Sequence, residues 1–305
     1  MFLIFLLIFH TAAAAPVRHD IRARLDPELC AITAEDRITL PDGLTELSFS
    51  LRKGLIPSSP DGSVGLKEEP AADAYSGTEA SGTRYSASPP RGRKTFVIAY
   101  SGTMRGGDGE SAPDCSAASG PLTPDGCLLT PDKLWYPRTD TGPSFFRLTA
   151  DLPAGYAAVS TGEGKNGPEK DGRTISSWRS DVPAEGLTLL CGKYKEYTSE
   201  RQGVKLQALL SRPDEALSRR YLEAAGRYLD MYSGLLGRYP YGKFALAEGI
   251  SESEFAQPSL AVLGPTALRS PSAARSALPG LMARSWFGGG VFPAEQDGGW
   301  SEGLS

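Results

Sequence analysis

Short apolar runs recur over the first two thirds of the chain, and turn-forming clusters such as Pro60-Asp61-Gly62 and Lys170-Asp171-Gly172 separate them. Runs of this length with alternating or mixed apolar character are typical of strands. They are Arg37 to Leu40, Leu44 to Leu51, Thr95 to Tyr100, Phe145 to Ala150, Ala157 to Thr161, Thr174 to Trp178 and Leu187 to Leu190. The spacing predicts an antiparallel β sandwich or saddle over residues 16–200. The Ser-, Pro- and Gly-rich stretch from Pro57 to Lys94 is interpreted as long hairpin loops of the same domain, with a flexible linker as the alternative.

The pattern becomes helical near Pro213. Apolar residues recur at helical spacing up to Leu236, Asp214 can cap the start of this helix, and Gly237 is a natural stop. Strands are expected at Phe244 to Glu248 and Leu260 to Leu263, and a last helical stretch is expected around Leu281 to Phe287. The fold class is therefore α+β, with a second domain over residues 201–305.

Composition narrows the function classes only slightly. The chain has 305 residues, enough for two domains, and its 40% hydrophobic and 22% charged content is ordinary for a globular protein. A net charge of -4 gives no electrostatic case for a nucleic-acid partner. The 35 glycines and 24 prolines indicate many turns.

Residues 1–15 are typical of a signal peptide, with an apolar run from Phe2 to Phe9 and small residues before a cleavage site after Ala14. Export to the periplasm or outside the cell is expected, with an uncleaved anchor as the alternative. No other stretch is apolar enough to predict a transmembrane helix.

Four cysteines in an exported chain suggest disulfides. Cys115 and Cys127 bracket a Gly-, Pro- and Ser-rich loop, which favours a bridge between them and a second bridge between Cys30 and Cys191. The alternative is one loop disulfide with two buried free thiols. The segment after residue 15 contains a single histidine, His19, which is interpreted as a surface residue near a new N-terminus.

Three groups of segments carry a family resemblance. The first group is Trp135-Tyr136-Pro137, Phe145-Phe146-Arg147-Leu148, Ser177-Trp178 and Gly192-Lys193-Tyr194. The second is Tyr239-Pro240-Tyr241-Gly242-Lys243-Phe244. The third is Ser285-Trp286-Phe287-Gly288-Gly289-Gly290-Val291 with Gly299-Trp300-Ser301-Glu302-Gly303-Leu304. The chain resembles the gluzincin zinc aminopeptidases, which include membrane alanyl aminopeptidase and leukotriene hydrolase, and the resemblance implies that the second domain is a partial thermolysin-like domain.

The resemblance also shows which site residues are missing. Family members carry H-E-x-x-H immediately before the Trp-Phe-Gly segment, two histidines binding zinc and the Glu acting as general base. The corresponding positions here are Gly280, Leu281 and Arg284, while Glu302 matches the third zinc ligand. No catalytic residue and no zinc cofactor are therefore expected. One hypothesis is that Arg284 instead pairs with Glu302, and the alternative is that Arg284 points to solvent.

Two further expectations follow from the same resemblance. Pro279-Gly280 disfavours a helix interior, so the helix is expected to begin at Pro279. Glu252 and Glu254 lie in the segment that binds the peptide α-amine in the family, although neither stands in the family's G-x-M-E-N sequence. One of them is a candidate for amine binding, and the alternative is that both are solvated loop charges.

Three functions remain open at this point. The first is an exported, catalytically inactive, peptide-binding member. The second is an active hydrolase whose metal ligands come from a partner chain, and the third is the N-terminal fragment of a split gene, completed by another protein. No G-x-S-x-G elbow and no P-loop is present.

Overall fold

The structure is a computed structural model that describes residues 15–70, 82–105, 115 and 120–287. Within these residues the protein is mostly β, with four sheets and one long helix. The described part has no helix that is long and apolar enough to span a bilayer. The predicted signal peptide lies almost entirely outside the described residues, so its assignment stays a prediction.

Fifteen strands build three sheets of the N-terminal part. In chain order they are β1 (Arg18–Asp26), β2 (Ala31–Thr39), β3 (Leu47–Arg52), β4 (Ile56–Ser58), β5 (Gly65–Glu68), β6 (Gly82–Ser88), β7 (Thr95–Thr103), β8 (Leu122–Thr123), β9 (Gly126–Leu129), β10 (Arg138–Thr139), β11 (Phe145–Pro153), β12 (Ala157–Ser160), β13 (Glu163–Lys170), β14 (Arg173–Arg179) and β15 (Leu189–Gly192). The sheet orders are β13-β14-β11-β1-β2-β7-β4, β10-β3-β6-β5 and β12-β15-β9-β8. A short 3-10 helix, Pro131–Lys133, follows β9.

One strand pair departs from the predicted antiparallel arrangement. β1 and β11 run parallel, in register from Arg18 opposite Phe145 to Arg24 opposite Asp151. The intervening strands of the other sheets provide the long crossover that parallel neighbours require. The Pro57 to Lys94 stretch contributes β5 and β6, which form an antiparallel hairpin, and β6 also pairs with β3. This stretch is therefore part of the N-terminal β structure, as predicted; residues 71–81 are outside the described part.

His19 is a core residue, so its interpretation as a surface residue was wrong. Strand alternation in β1 turns His19 inward together with Ile21, Ala23 and Leu25. Its side chain is almost fully buried, its Nδ1 lies 2.6 Å from Asp36 Oδ2, and its ring stacks on a neighbouring phenylalanine. The ring partner is Phe146 on the adjacent strand β11.

The predicted disulfide pairing was also wrong. Cys30 is bonded to Cys115, whereas Cys127 and Cys191 are buried free thiols. The β structure explains this arrangement. Met104 N donates to Cys30 O, so the segment after β7, which carries Cys115, starts beside Cys30.

The fourth sheet belongs to the second part of the chain. Its strands are β16 (Lys195–Arg201), β17 (Val204–Leu210), β18 (Lys243–Glu248), β19 (Glu254–Gln257) and β20 (Leu260–Leu263), in the order β16-β17-β18-β20-β19. β17, β18 and β20 are parallel, and the edge strands β16 and β19 are antiparallel to their neighbours. The predicted division at residue 200 falls inside β16 and stays a prediction.

This sheet is buried on both faces. Leu209, Ala245 and Val262 pack into the core of the N-terminal sheets, while Phe244 and Leu263 pack into a second core with the helices. The helices are α1 (Glu215–Leu236), α2 (Pro265–Arg269), α3 (Ala273–Ser276) and α4 (Leu278–Ala283). The sheet is thus the layer that joins the two parts of the molecule.

The long helix α1 is confirmed at both ends. The Asp214 carboxylate accepts a hydrogen bond of 2.8 Å from Leu217 N, as an N-cap does. Gly237 ends the helix with φ +90°, a conformation that a side chain would strain.

Candidate functional site

Helix α4 carries the positions that the family resemblance assigns to zinc binding. It packs against β19, β20 and α1, so the two segments that resemble a peptidase cleft meet here. Arg284 N donates to Gly280 O at 3.3 Å, which sets these positions one helical turn apart on one side of the chain. The spacing of the family's histidine pair is therefore kept, although its side chains are absent.

The start of α4 agrees with the proline expectation to within one residue, but its end does not. The helix begins at Leu278 with Pro279 in its first turn, and Ala277 separates it from α3. It ends at Ala283, whereas the apolar pattern predicted helix as far as Phe287. Ser285 N donates to Met282 O and Trp286 N to Ala283 O, so the backbone continues in tighter turns. The side chains of these two residues are fixed by hydrogen bonds, from the Tyr239 hydroxyl to Ser285 Oγ and from Trp286 Nε1 to Gly237 O.

The residues at these positions do not fit a zinc ion. Leu281 is buried in the helical core, Arg284 is exposed at the C-terminal cap of α4, and Gly280 offers no side chain. One cation and two apolar residues provide no ligand, whereas catalytic zinc sites use three protein ligands. No group of three or more His, Cys, Asp or Glu that could hold a metal occurs among the described residues. Glu302, and with it the predicted Arg284–Glu302 pair, lies outside the described residues.

The two candidate amine-binding carboxylates have different surroundings. Glu252 accepts hydrogen bonds from the Thr266 hydroxyl at 2.7 Å and from Thr266 N at 3.0 Å, and these bonds lower its pKa. Glu254 is exposed at the start of edge strand β19. Alternation along the strand turns Glu254 to the same face as Ala256, which packs on the helical core that includes α4.

A cavity of about 590 Å³ opens at the carboxyl end of β18, beside α2. Its innermost charged group is Glu248, only 2% exposed, which accepts from Ser211 N at 2.8 Å and from Arg269 Nη1 at 2.5 Å. The hydrogen bond to Glu248 raises the pKa of Arg269. Arg212 lies on the exposed rim of the cavity. Sequence analysis identified none of these as site residues, because a buried carboxylate at the end of an apolar strand looks like the strand's polar boundary.

Lys243 is the most unusual ionisable group of the described part. The residue is 3% exposed, and its Nζ donates to Ser160 O at 2.8 Å, to Ser259 O at 3.3 Å and to Ser259 Oγ at 3.1 Å. Burial lowers the pKa of this lysine to about 7, and Trp178 presents its ring 5.3 Å from the ammonium. Ser160 and Trp178 belong to the N-terminal sheets, so Lys243 joins them to the fourth sheet.

Lysine beside serine is the residue pair of some nucleophilic hydrolases. Here Ser259 is fully buried in the left-handed region, with φ +65°, and its Oγ also accepts from Gly162 N at 2.9 Å. A substrate cannot reach this oxygen while the two parts of the protein stay packed. The pair therefore fixes the junction and is not a catalytic site in this arrangement.

No protein-family model and no curated protein matches this sequence. Solved structures do match it. The M1 zinc metallopeptidase from Deinococcus radiodurans matches with a TM-score of 0.63 at 16% identity, over 90% of this chain and 64% of that chain. A two-domain M1 zinc metallopeptidase mutant bound to L-arginine matches with a TM-score of 0.64 at 16% identity, over 91% of this chain and 66% of that chain.

A mutant of the Deinococcus radiodurans enzyme bound to a Tyr-Ser-Ala substrate also matches, with a TM-score of 0.58 at 16% identity, over 90% of this chain and 64% of that chain. At this identity the likeness establishes the fold alone. The chain spans about two thirds of the length of these metallopeptidases. The fold of the chain thus resembles that of the N-terminal part of the M1 metallopeptidases.

Proposed function

We propose that this protein is an exported, non-catalytic relative of the zinc aminopeptidases that binds peptides. The observation that carries the proposal is the composition of α4, where Gly280, Leu281 and Arg284 stand at the ligand and base positions. Helix α4 packs against β19 but has neither zinc ligands nor a general base. We infer that the cleft is retained without the groups that hydrolyse a peptide bond. Under this proposal, residues 201–305 form part of a thermolysin-like domain.

The exposed carboxylate of Glu254 is the group that we assign to the free amine of a peptide. Glu252 is engaged by Thr266 and is less available, whereas Glu254 starts a strand that forms the edge of its sheet among the described residues. An extended peptide can add to such an edge through main-chain hydrogen bonds, with its amine paired to the carboxylate.

Calorimetric titration with a short peptide and its N-acetylated form tests this assignment. The proposal predicts that the wild-type chain binds the free-amine peptide more tightly than the acetylated one. Glu254→Gln should remove this difference, because it weakens the binding of the free-amine peptide about tenfold. Glu252→Gln is the matched control and should leave the difference in place. Equal binding of both peptides by the wild-type chain would contradict the amine site.

A second candidate is a protein completed by a partner. Leu235 is 73% exposed, and Met231 and Leu236 are also exposed near the C-terminal end of α1. Neighbouring apolar side chains of this size favour burial against another surface. This candidate includes both the hydrolase with ligands from a second chain and the split-gene fragment. Hydrolysis of an aminoacyl reporter by the chain mixed with a co-purified partner, and by neither alone, would favour it over the peptide-binding proposal.

A further inference from the structure

Two buried thiols face each other in the third sheet of the N-terminal part. Cys127 on β9 lies directly opposite Cys191 on β15, within the antiparallel register that also pairs Leu128 with Leu190. Directly opposed residues of antiparallel strands have Cα atoms about 4.5 or 5.5 Å apart. A disulfide spans about 4.4–6.8 Å between Cα atoms, so the backbone already has the separation that a bond between these sulfurs needs.

The register that opposes the two thiols is fixed by glycine. A Cβ atom on Gly126, which has φ +152°, would lie 2.1 Å from Cys191 O. Only glycine therefore allows β9 to approach β15 this closely. Sliding either strand would break this contact, so the opposition of Cys127 and Cys191 is a constrained feature of the fold.

The surroundings of the pair protect it from reagents in solution. Both cysteines are fully buried, and the Cys127 thiol donates to Leu189 O at 3.7 Å. Burial beside the second thiol raises the pKa of Cys127 well above its usual range. Because the thiolate is the reactive form, exchange in the folded protein is slow. The pair is best placed to react while β15 is still undocked during folding.

The pair also lies close to the point where the chain passes from the N-terminal sheets to the fourth sheet. β15 ends at Gly192, and Tyr194 then donates its hydroxyl to Glu248 O at 2.7 Å. A covalent link at Cys191 therefore anchors the strand that immediately precedes this contact with β18. The described part of the chain already contains one closed disulfide, Cys30–Cys115, which fits an oxidising environment.

We propose that Cys127 and Cys191 are a modification site at which a second, buried disulfide closes across β9 and β15. In this step both S–H bonds break and one S–S bond forms. The two electrons and two protons pass to a disulfide donor of the glutathione or dithiol-protein class, which is reduced to two thiols. The bond stabilises the folded connection between the two parts of the molecule, because it lowers the conformational entropy of the unfolded chain.

Thiol counting tests the proposal directly in the wild-type chain. The reduced, unfolded protein is refolded with oxidised and reduced glutathione, alkylated in denaturant, and its mass and linked peptides are determined. The expected result is no alkylated cysteine, with peptides linked as Cys30–Cys115 and Cys127–Cys191. Alkylation of both Cys127 and Cys191 in protein with a closed Cys30–Cys115 bond would overturn the proposal, as would a Cys115–Cys127 linkage.

Timing and stability provide independent readouts. When glutathione disulfide is added to the reduced but folded protein, Cys127 and Cys191 should oxidise about tenfold or more slowly than during refolding, because they are buried. The variant Cys30→Ser/Cys115→Ser keeps only the proposed bond, and reductant should lower its Tm. In the matched variant Cys127→Ala/Cys191→Ala, reductant should lower the Tm only through the loss of the Cys30–Cys115 bond. A Tm of the first variant that reductant leaves unchanged would contradict the bond.

Discussion

Lys243 Nζ lies 3.1 Å from Ser259 Oγ, and solvent reaches neither group. The lysine is held by oxygen acceptors and an aromatic ring, with no carboxylate bonded to it among the described residues. Glu163 acts only through space and favours the charged form, while the charge of Lys205 disfavours it. Burial dominates, so the junction between the N-terminal sheets and the fourth sheet contains an ammonium cation whose charged form is destabilised by burial.

This cation predicts a pH dependence of stability. The pKa of Lys243 is about 7 in the folded protein and 10.5 when unperturbed. Between these values the unfolded chain binds more protons, so the free energy of unfolding rises with pH over this window, by several kcal/mol in order of magnitude. Below pH 7 both states are protonated and the burial cost is present in full.

Urea unfolding from pH 7 to pH 10 measures this rise. Lys243→Met removes the titrating group, so the variant should show a flatter pH dependence than the wild type over the same range. Lys67→Met, which removes an exposed lysine on β5, is the matched control and should keep the wild-type slope. Identical slopes for wild type and Lys243→Met would contradict the assignment.

The buried His19–Asp36 pair gives a double-mutant prediction. His19→Leu leaves the Asp36 carboxylate buried without its partner, which should cost about 3–5 kcal/mol of unfolding free energy. His19→Leu/Asp36→Leu removes both polar groups and should recover most of this loss. Chemical denaturation of the four proteins of the cycle measures the coupling. A single variant as stable as the wild type would show that the pair is not closed in solution.

The Glu248–Arg269 contact predicts a smaller effect, because the Arg269 side chain is 36% exposed. Arg269→Ala should destabilise the protein by about 1–3 kcal/mol, since Ser211 N still pairs with the buried carboxylate. Arg275→Ala, at an exposed arginine on α3, should change stability by less than about 0.5 kcal/mol. Thermal unfolding distinguishes the two, and equal Tm values would argue against the ion pair.

The preserved helical spacing on α4 predicts that metal binding can be introduced. Gly280→His/Arg284→His places two imidazoles one turn apart, an arrangement that binds Zn²⁺ or Ni²⁺. Calorimetry should detect a metal site of micromolar order in this variant and none in the wild type. The single variant Arg284→His should bind more weakly. A folded double variant that binds no metal would show that α4 does not hold these positions on one face.

Local signals in the sequence predicted part of the fold well. The α1 helix was recognised from its capping carboxylate and terminal glycine, because Asp214 and Gly237 act within one turn of the helix end. β20 was predicted over its full extent, since a short apolar run between turn residues has few alternatives. The helical pattern failed after Ala283, where Ser285 N and Trp286 N donate to carbonyls three residues back and the backbone tightens into turns.

Long-range relationships could not be obtained from the sequence. The pairing of Cys30 with Cys115 depends on how β7 ends beside the turn after β1, and the burial of His19 depends on its pairing with Asp36 in β2. Lys243 was noted only as part of a motif, because nothing local to it reveals that Ser160 and Ser259 enclose it. The candidate zinc positions were identified only because the family resemblance supplied the motif that they lack.

The central claim, that α4 lacks a catalytic zinc site, is tested most directly by the zinc content of the purified, tag-free mature protein, measured by inductively coupled plasma mass spectrometry. The account predicts essentially no zinc per chain, because Gly280, Leu281 and Arg284 provide no ligand. Near-stoichiometric zinc that dialysis does not remove would contradict it and would mean that the chain binds the metal through other residues.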